Sequence, residues 1–284
     1  MTNSFGGNFR YDIKKQLETG AQGTVVSAFD TVTKSTVAIK IFDLSVKHAD
    51  YGFHNECSIF ESLKGKSKHI CEVYDCFLIE NKYGFIVMKQ YEGDLFDYTF
   101  SNNKTISEKE VKRIFRKICK GVRELHKSGV AHLDLKPENV VMDSNNNPFI
   151  CDFGSSFHFA PKKTLLGSKP TKKPIEGLNG RGTRRYSAPE VFESESAFNP
   201  YKADIYSLGI ILHALLTGFY PNQPNSSTID LTHARNSISA DCFELLNSLL
   251  SNSPSDRPSI DVILASKWLK TSTIAKLAKM VQII

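Results

Sequence analysis

The hydrophobic pattern of the chain changes period once, and that change limits what it can fold into. Up to about residue 90, the apolar stretches alternate and are rich in β-branched residues, as in "TVVSAFD" (24–30) and "STVAIKIFDL" (35–44). This is the signature of half-buried strands. "YGFIVMKQY" (83–91) reads as a further, buried strand. One helix-like stretch, "HNECSIFESLKG" (54–65), interrupts them and ends at Gly65. From Ser107 the period becomes helical. Ser107 and Glu110 form a capping box, followed by apolar residues at 111, 114, 115, 118, 122 and 125. "KADIYSLGIILHALLTG" (202–218) is apolar nearly all round and predicts a buried central helix. "SADCFELLNSLLS" (239–251) and "SIDVILASKWLK" (259–270) predict amphipathic helices. A strand-rich half followed by a helical half, with no internal repeat, predicts an α+β chain.

At 284 residues the chain suits one large domain or two lobes, and its 40% hydrophobic and 23% charged content is that of a soluble globular protein. The net charge of +6 favours acidic partners mildly and gives no argument for nucleic acid. No run reaches the roughly 18 apolar residues of a membrane span. The opening "MTNSFGGNFRYDIKKQ" has neither the apolar core of a signal peptide nor a glycine at position 2. The expectation is an intracellular protein, cytoplasmic or nuclear. Its six cysteines, with no CxxC pair, are expected as reduced thiols.

The chemistry concentrates in four short stretches. In "ETGAQGTV" (18–25), Gly20 and Gly23 leave room for backbone N–H groups to approach phosphates, although a glycine pair between strands is equally a hairpin turn. "VAIK" ends in Lys40, and Glu56 on the following helix is a candidate partner that would fix its charge. "HLDLKPENV" (132–140) holds Asp134, Lys136 and Asn139 at fixed offsets, and "CDFG" supplies Asp152. Asn139 and Asp152 are hard oxygen donors suited to Mg²⁺, which leaves Asp134 to orient or deprotonate a hydroxyl.

In this order, with "GTRRYSAPE" (182–190), "DIYSLG" (204–209) and Arg257 in "DRP", the motifs resemble the eukaryotic serine/threonine protein kinases from about Phe9 to Leu269. "HLDLKPEN" and "EGDLFD" look nearest to the calcium/calmodulin-dependent-like group. The resemblance implies a bilobal kinase fold, with a small β-rich lobe over 9–90 and a larger, mainly α-helical lobe over 91–284. It implies an activation segment over 152–190 and ATP with Mg²⁺ (or Mn²⁺) as cofactors. By the same resemblance, Gly20, Gly23, Val25 and Ala38 cover the nucleotide. Lys40, locked by Glu56, holds the α- and β-phosphates. Met88 is the gatekeeper, Lys89, Gln90 and Tyr91 are the hinge, and Asp94 lies near the ribose or a substrate arginine. Asp134 accepts the proton of the substrate hydroxyl, and Lys136 steadies the moving phosphoryl group. Asn139 and Asp152 hold the metal, while Glu138, Thr183 and Arg184 face the protein substrate. Glu190 and Arg257 form a structural ion pair. Asp204 and His132 tie the catalytic loop to the central helix. Cys151 faces the phosphates, either as a thiol within reach of electrophiles or as a small buried hydrophobe.

The sequence departs from the family pattern in places. Glu18 stands where the first loop glycine is usual and Gln22 where an aromatic is; Glu18 is expected at a strand end, facing solvent. Leu133 replaces an arginine that would anchor a phosphate on the activation segment. That substitution predicts activity independent of such a phosphate, unless Arg184 or Lys163 takes over the anchoring. Between Pro161 and Tyr186 the segment carries lysine or arginine at 162, 163, 169, 172, 173, 181, 184 and 185 against one acid, Glu176. It is either a docking surface for an acidic substrate or anionic surface, or simply solvated. The tail "TIAKLAKMVQII" packs on its own lobe or binds a partner such as calmodulin. The remaining expectations are a monomer acting on a protein substrate, with a kinase-shaped scaffold lacking turnover as the alternative.

Overall fold

A computed structural model describes residues 4–5, 10–20, 23–65, 67–100, 106–159, 177–178, 180–193, 197–221, 229 and 231–270. Six strands, β1 (Ser4–Phe5), β2 (Tyr11–Gly20), β3 (Gly23–Asp30), β4 (Ser35–Asp43), β5 (Val73–Ile79) and β6 (Tyr83–Lys89), form one antiparallel sheet in the order β1-β2-β3-β4-β6-β5. Alternation along β4 sorts its side chains between the two faces. Val37 and Ile39 join Tyr11, Val26, Ala28, Phe85 and Val87 in a small core on one face. Phe42 packs instead with Ile86 and with Phe53, Ile59 and Phe60 of helix α1 (Ala49–Leu63). Lys40, two residues before Phe42, therefore points to the α1 side. Gly84 on β6 admits Phe53 of α1, because a Cβ there would lie 2.6 Å from the Phe53 ring. Helix α1 ends at Leu63, two residues before the left-handed Gly65 (φ 69°).

Past the sheet come β7 (Gly93–Asp94), α2 (Leu95–Phe100) and α3 (Glu108–Lys127). Ser107 Oγ caps α3 by accepting the Glu110 N–H at 3.3 Å, and the six apolar positions expected on its inner face are all buried. Short strands β8 (Val130–Ala131), β9 (Val140–Met142), β10 (Pro148–Ile150) and β11 (Phe157–His158) follow. They pair as β10-β9-β7 and β11-β8, and so bring the segments around 132–139 and 151–156 together. The remaining helices are α4 (Pro189–Glu193), α5 (Pro200–Thr217), α6 (Thr232–Arg235), α7 (Ala240–Leu249) and α8 (Ile260–Leu264). Helix α5 is buried from Ala203 to Leu215, as its all-round apolar pattern requires. It starts on the Asn199 cap with Pro200 at its first position and stops at left-handed Gly218 (φ 73°).

Helix α8 is shorter than its sequence pattern predicts. It stops at Leu264, and the chain turns so that Trp268 and Leu269 are buried, with Trp268 Nε1 donating to Glu108 Oε1 at 2.7 Å. This tertiary contact with α3 outweighs six further residues of helical pattern. Arg257 is fully buried. Its guanidinium forks onto Glu190 (2.6 and 2.9 Å), donates to the Ser251 and Lys202 carbonyls, and lies 4.9 Å from the Tyr206 ring centroid. Every face of that charge is satisfied, which is the condition for keeping it in a core.

Candidate active site

Strand register sets the upper wall of a cleft. Val25 pairs with Lys40, Ser27 with Ala38, and Ala38 with Met88, so Val25, Ala38, Lys40 and Met88 share one face. The hairpin between β2 and β3 turns at Gly20 and Gly23, and both its glycines reach the cleft. Gly23 has φ 148°, and a Cβ there would stand 2.4 Å from the Ile41 carbonyl oxygen, so only glycine fits. Beyond Met88, Ser27 Oγ donates to Gln90 Oε1 at 2.6 Å, and Tyr91 OH accepts the Glu72 N–H at 3.2 Å, so the strand exit is held from both sides.

Lys40 bridges two carboxylates. Its Nζ lies 2.6 Å from Glu56 Oε1 and 2.8 Å from Asp152 Oδ1. Burial disfavours the ammonium, but Glu56 and Asp152 together outweigh it and hold Lys40 above its ordinary pKa. Burial also opposes ionisation of Asp152, yet Lys40 and the Gly154 N–H bring its carboxyl down to about 2. Asp152 is therefore a carboxylate at any physiological pH.

Below the cleft, Asp204 on α5 organises the loop that carries the candidate base. Its Oδ2 accepts the His132 N–H at 2.9 Å and its Oδ1 the Leu133 N–H at 2.8 Å. The tie runs through the backbone of His132, not its ring. The ring stands 3.0 Å from the Cys151 carbonyl, while His126 on α3 takes the side-chain place beside Asp204 at 2.8 Å. Leu133, held this way, is buried in the left-handed region (φ 61°), and Asp152 adopts φ 60°. The next residue, Asp134, receives hydrogen bonds on both oxygens, from the Thr183 N–H at 2.8 Å and from Asn139 Nδ2 at 3.2 Å. Lys136 Nζ lies 3.4 Å from Asp134 Oδ2 and donates to Thr183 Oγ1 at 3.1 Å. Gly182 lets this approach happen. At φ 81°, a Cβ there would sit 2.1 Å from the Leu133 carbonyl oxygen.

These groups converge on one cleft of about 580 Å³. It is lined by Gly20, Gly23, Val25, Ala38, Lys40, Glu56 and the run Met88, Lys89, Gln90 and Tyr91. Asp94, Asp134, Lys136, Glu138, Asn139, Cys151, Asp152 and Thr183 complete the lining. Arg184 is not among them: it is exposed, with its guanidinium 5.6 Å over the Phe192 ring. Glu138 accepts the Tyr186 hydroxyl at 3.2 Å. Cys151 is half-buried at the cleft wall, and burial pushes its thiol well above its ordinary value. Glu18 is exposed, as expected, but it stands at the rim of the cleft and not away from it.

Asn139 donates its amide nitrogen to Asp134 O (2.9 Å) and Oδ2, which leaves its oxygen as the ligating atom, and Asp152 is ionised. Among the described residues no group of three or more His, Cys, Asp or Glu is placed to hold a metal. One carboxylate and one amide oxygen suit Mg²⁺, which keeps waters and takes its remaining ligands from phosphates.

Three residues with no motif around them also hold this arrangement. Asn55 of α1 donates to the Phe153 and Ser156 carbonyls at 3.2 and 3.0 Å. Ser156 Oγ donates to the His132 carbonyl at 3.0 Å. Arg181 donates to the Ser155 carbonyl at 3.3 Å and lies 6.0 Å from the Tyr51 ring. No local signal marks them, because each acts on a partner far along the chain. The basic positions between 162 and 173, and the tail after 270, lie outside the described residues. No described helix is long and apolar enough to cross a membrane.

Comparison with known proteins points the same way. Residues 11–269 match the protein kinase domain family. The chain is 30% identical to a carbon catabolite-derepressing protein kinase of Candida glabrata, covering 92% of this chain and 41% of the relative. It is 32% identical to the serine/threonine-protein kinase SIK2 of Gallus gallus, covering 92% and 32%. It is 30% identical to CBL-interacting protein kinase 11 of Oryza sativa subsp. japonica, covering 92% and 51%. The chain thus spans 32% to 51% of the length of these relatives.

Proposed function

The chain belongs to the protein kinase domain family, and from that premise we propose that it transfers the γ-phosphoryl group of ATP to serine or threonine hydroxyls of a protein substrate inside the cell. Residues 9–90 and 91–284 serve as the two lobes of a monomer. The observation that carries this reading is the convergence of Lys40, Asp152, Asn139, Lys136 and Asp134 on one cleft. Asp134 accepts the proton as the substrate oxygen bonds to phosphorus and the bond to the departing diphosphate breaks. Lys136 follows the charge of the moving group, and Lys40 holds the phosphates that stay behind. Mg²⁺ or Mn²⁺, held by Asn139 and Asp152, supplies further charge neutralisation when bound. Glu138, Thr183 and Arg184 orient the substrate chain. The test is incubation of the purified chain with γ-labelled ATP, Mg²⁺ and a peptide library, with Asp134→Asn as control. Absence of labelling on every peptide and on the chain itself would leave the scaffold reading in its place.

This kinase, on the same reading, needs no phosphate on its activation segment. Leu133 brings no charge to the site, and its N–H is already held by Asp204. Arg181 spans from the end of the segment to the Ser155 carbonyl and the Tyr51 ring, a cross-link that requires no added anion. After phosphatase treatment, verified by mass over residues 155 to 187, the initial rate should fall by less than about tenfold, equivalent to about 1.4 kcal/mol.

A further inference from the structure

Beside the nucleotide cleft lies a second cavity of about 700 Å³, walled by α1, β5 and the chain between them. The two share Phe60, Cys71, Lys89 and Tyr91 as a common partition. No step of phosphoryl transfer uses this second space. Two half-buried free thiols line it, Cys57 on α1 and Cys76 on β5. The two thiols are neighbours on the wall of that cavity, and each is the strongest influence on the other. The neighbouring thiol lowers Cys76 and raises Cys57, which favours Cys76 as the nucleophile. Cys71 lines the same cavity but is buried, and burial raises its thiol and keeps it inert.

Position on the helix gives the pair its meaning. Phe53, Glu56, Ile59, Phe60 and Leu63 make up the buried face of α1. Cys57 follows Glu56 directly and sits four residues after Phe53, at the edge of that face. A bond from Cys57 to the sheet therefore fixes the rotation of α1 that sets Glu56 against Lys40.

We propose that Cys57 and Cys76 are a modification site for hydroperoxides, joining reversibly as a disulfide that ties α1 to β5. The Cys76 thiolate attacks one oxygen of hydrogen peroxide. The O–O bond breaks, hydroxide leaves and is protonated to water, and Cys76 becomes a sulfenic acid. The Cys57 sulfur then attacks the Cys76 sulfur, the S–O bond breaks, and the departing hydroxide takes the Cys57 proton as a second water. Two thiols lose two electrons, and one peroxide is reduced to two waters. A dithiol reductant reverses the bond by exchange. The proposal is independent of the phosphotransfer reading.

The test uses the whole folded chain. It is treated with hydrogen peroxide, its free thiols are capped with iodoacetamide, and it is digested without reduction for mass mapping. The expected result is a peptide linking Cys57 to Cys76 that disappears with dithiothreitol, with Cys71 unmodified until the chain is unfolded. Hydrogen exchange of the α1 amides should slow by about tenfold in the oxidised form and recover on reduction. Recovery of both cysteines as capped thiols, pairing of either with another cysteine, or conversion to sulfinic acid would overturn the proposal. So would an oxidised form whose α1 amides exchange at the reduced rate. Cys57→Ser and Cys76→Ser should each abolish the linked peptide while leaving the remaining thiol of the pair cappable.

Discussion

Thr183 donates its backbone N–H to Asp134 Oδ1 at 2.8 Å, so the end of one segment aims the carboxylate of another 49 positions earlier. The contact exists because Gly182 brings no Cβ against the Leu133 carbonyl. Gly182→Ala forces a positive-φ alanine into a 2.1 Å clash, which only movement of the Asp134 loop relieves. A displacement of that kind should lower kcat by about a hundredfold. Thr183→Ala keeps the N–H bond and loses only the Lys136 contact, and should cost about tenfold. Steady-state kinetics of the two variants, both folded by circular dichroism, check the ordering.

Asp134→Asn and Asp152→Asn should separate turnover from nucleotide affinity. Loss of the base at 134 lowers kcat by about 10²–10⁴-fold. Titration calorimetry with Mg-ATP should show affinity kept within about threefold if Asp134 serves the acceptor hydroxyl, as proposed, and not the nucleotide. Loss of the carboxylate at 152 removes a partner of Lys40 and, on the proposed reading, a metal donor, so affinity and kcat should fall together. Equal affinity loss in both variants would show that Asp134 belongs to nucleotide binding.

Glu190→Gln strands the buried guanidinium of Arg257. The expected destabilisation is about 3–5 kcal/mol in urea unfolding. An Arg257→Met change in the Glu190→Gln background should recover part of it, because the unpaired charge is gone. A double variant no more stable than the single one would show that the lost hydrogen bonds to Ser251 and Lys202, and not the charge, dominate.

Acid should loosen the sheet through Asp30. Arg10 holds this buried carboxylate at 2.8 and 3.0 Å, helped by the Val32 N–H, and together they depress its pKa despite the opposing effect of burial. A depressed folded-state value stabilises the chain at pH above the unfolded value of about 4, and the contribution fades as pH falls below it. Asp30→Asn should lower stability at pH 7 by about 1–2 kcal/mol, discounted for the partly exposed Arg10, and remove this part of the acid sensitivity. Parallel unfolding curves for variant and parent from pH 7 to pH 3 would refute it.

The strand-rich and helical halves were legible because long periodic segments state their own burial: the period of two along β4 already put Lys40 and Phe42 on one side. The cleft residues were legible because charged side chains recur at fixed offsets within a few residues of one another. Asn55, Ser156 and Arg181 were not, since each meets its partner only after the chain has folded back over 24 or more positions. The strands from β7 to β11, two or three residues each, are too short for a period. Helix α8 was over-extended because nothing in "SIDVILASKWLK" announces that Trp268 prefers Glu108 of α3 to another turn of helix.

Leu133 and Asp152 both stand in left-handed backbone, a conformation that costs a non-glycine residue about 1–3 kcal/mol, less for aspartate than for leucine. Selection for heat tolerance would find easy gains at these peptide units, because glycine or asparagine there relieves the strain. The same exchange would let the Asp134 loop and the segment after Asp152 wander from their partners. Thermal hardiness and accuracy of aim are therefore opposed at these two positions, whereas the left-handed residues Lys34, His48 and Glu80, away from the cleft, carry no such conflict.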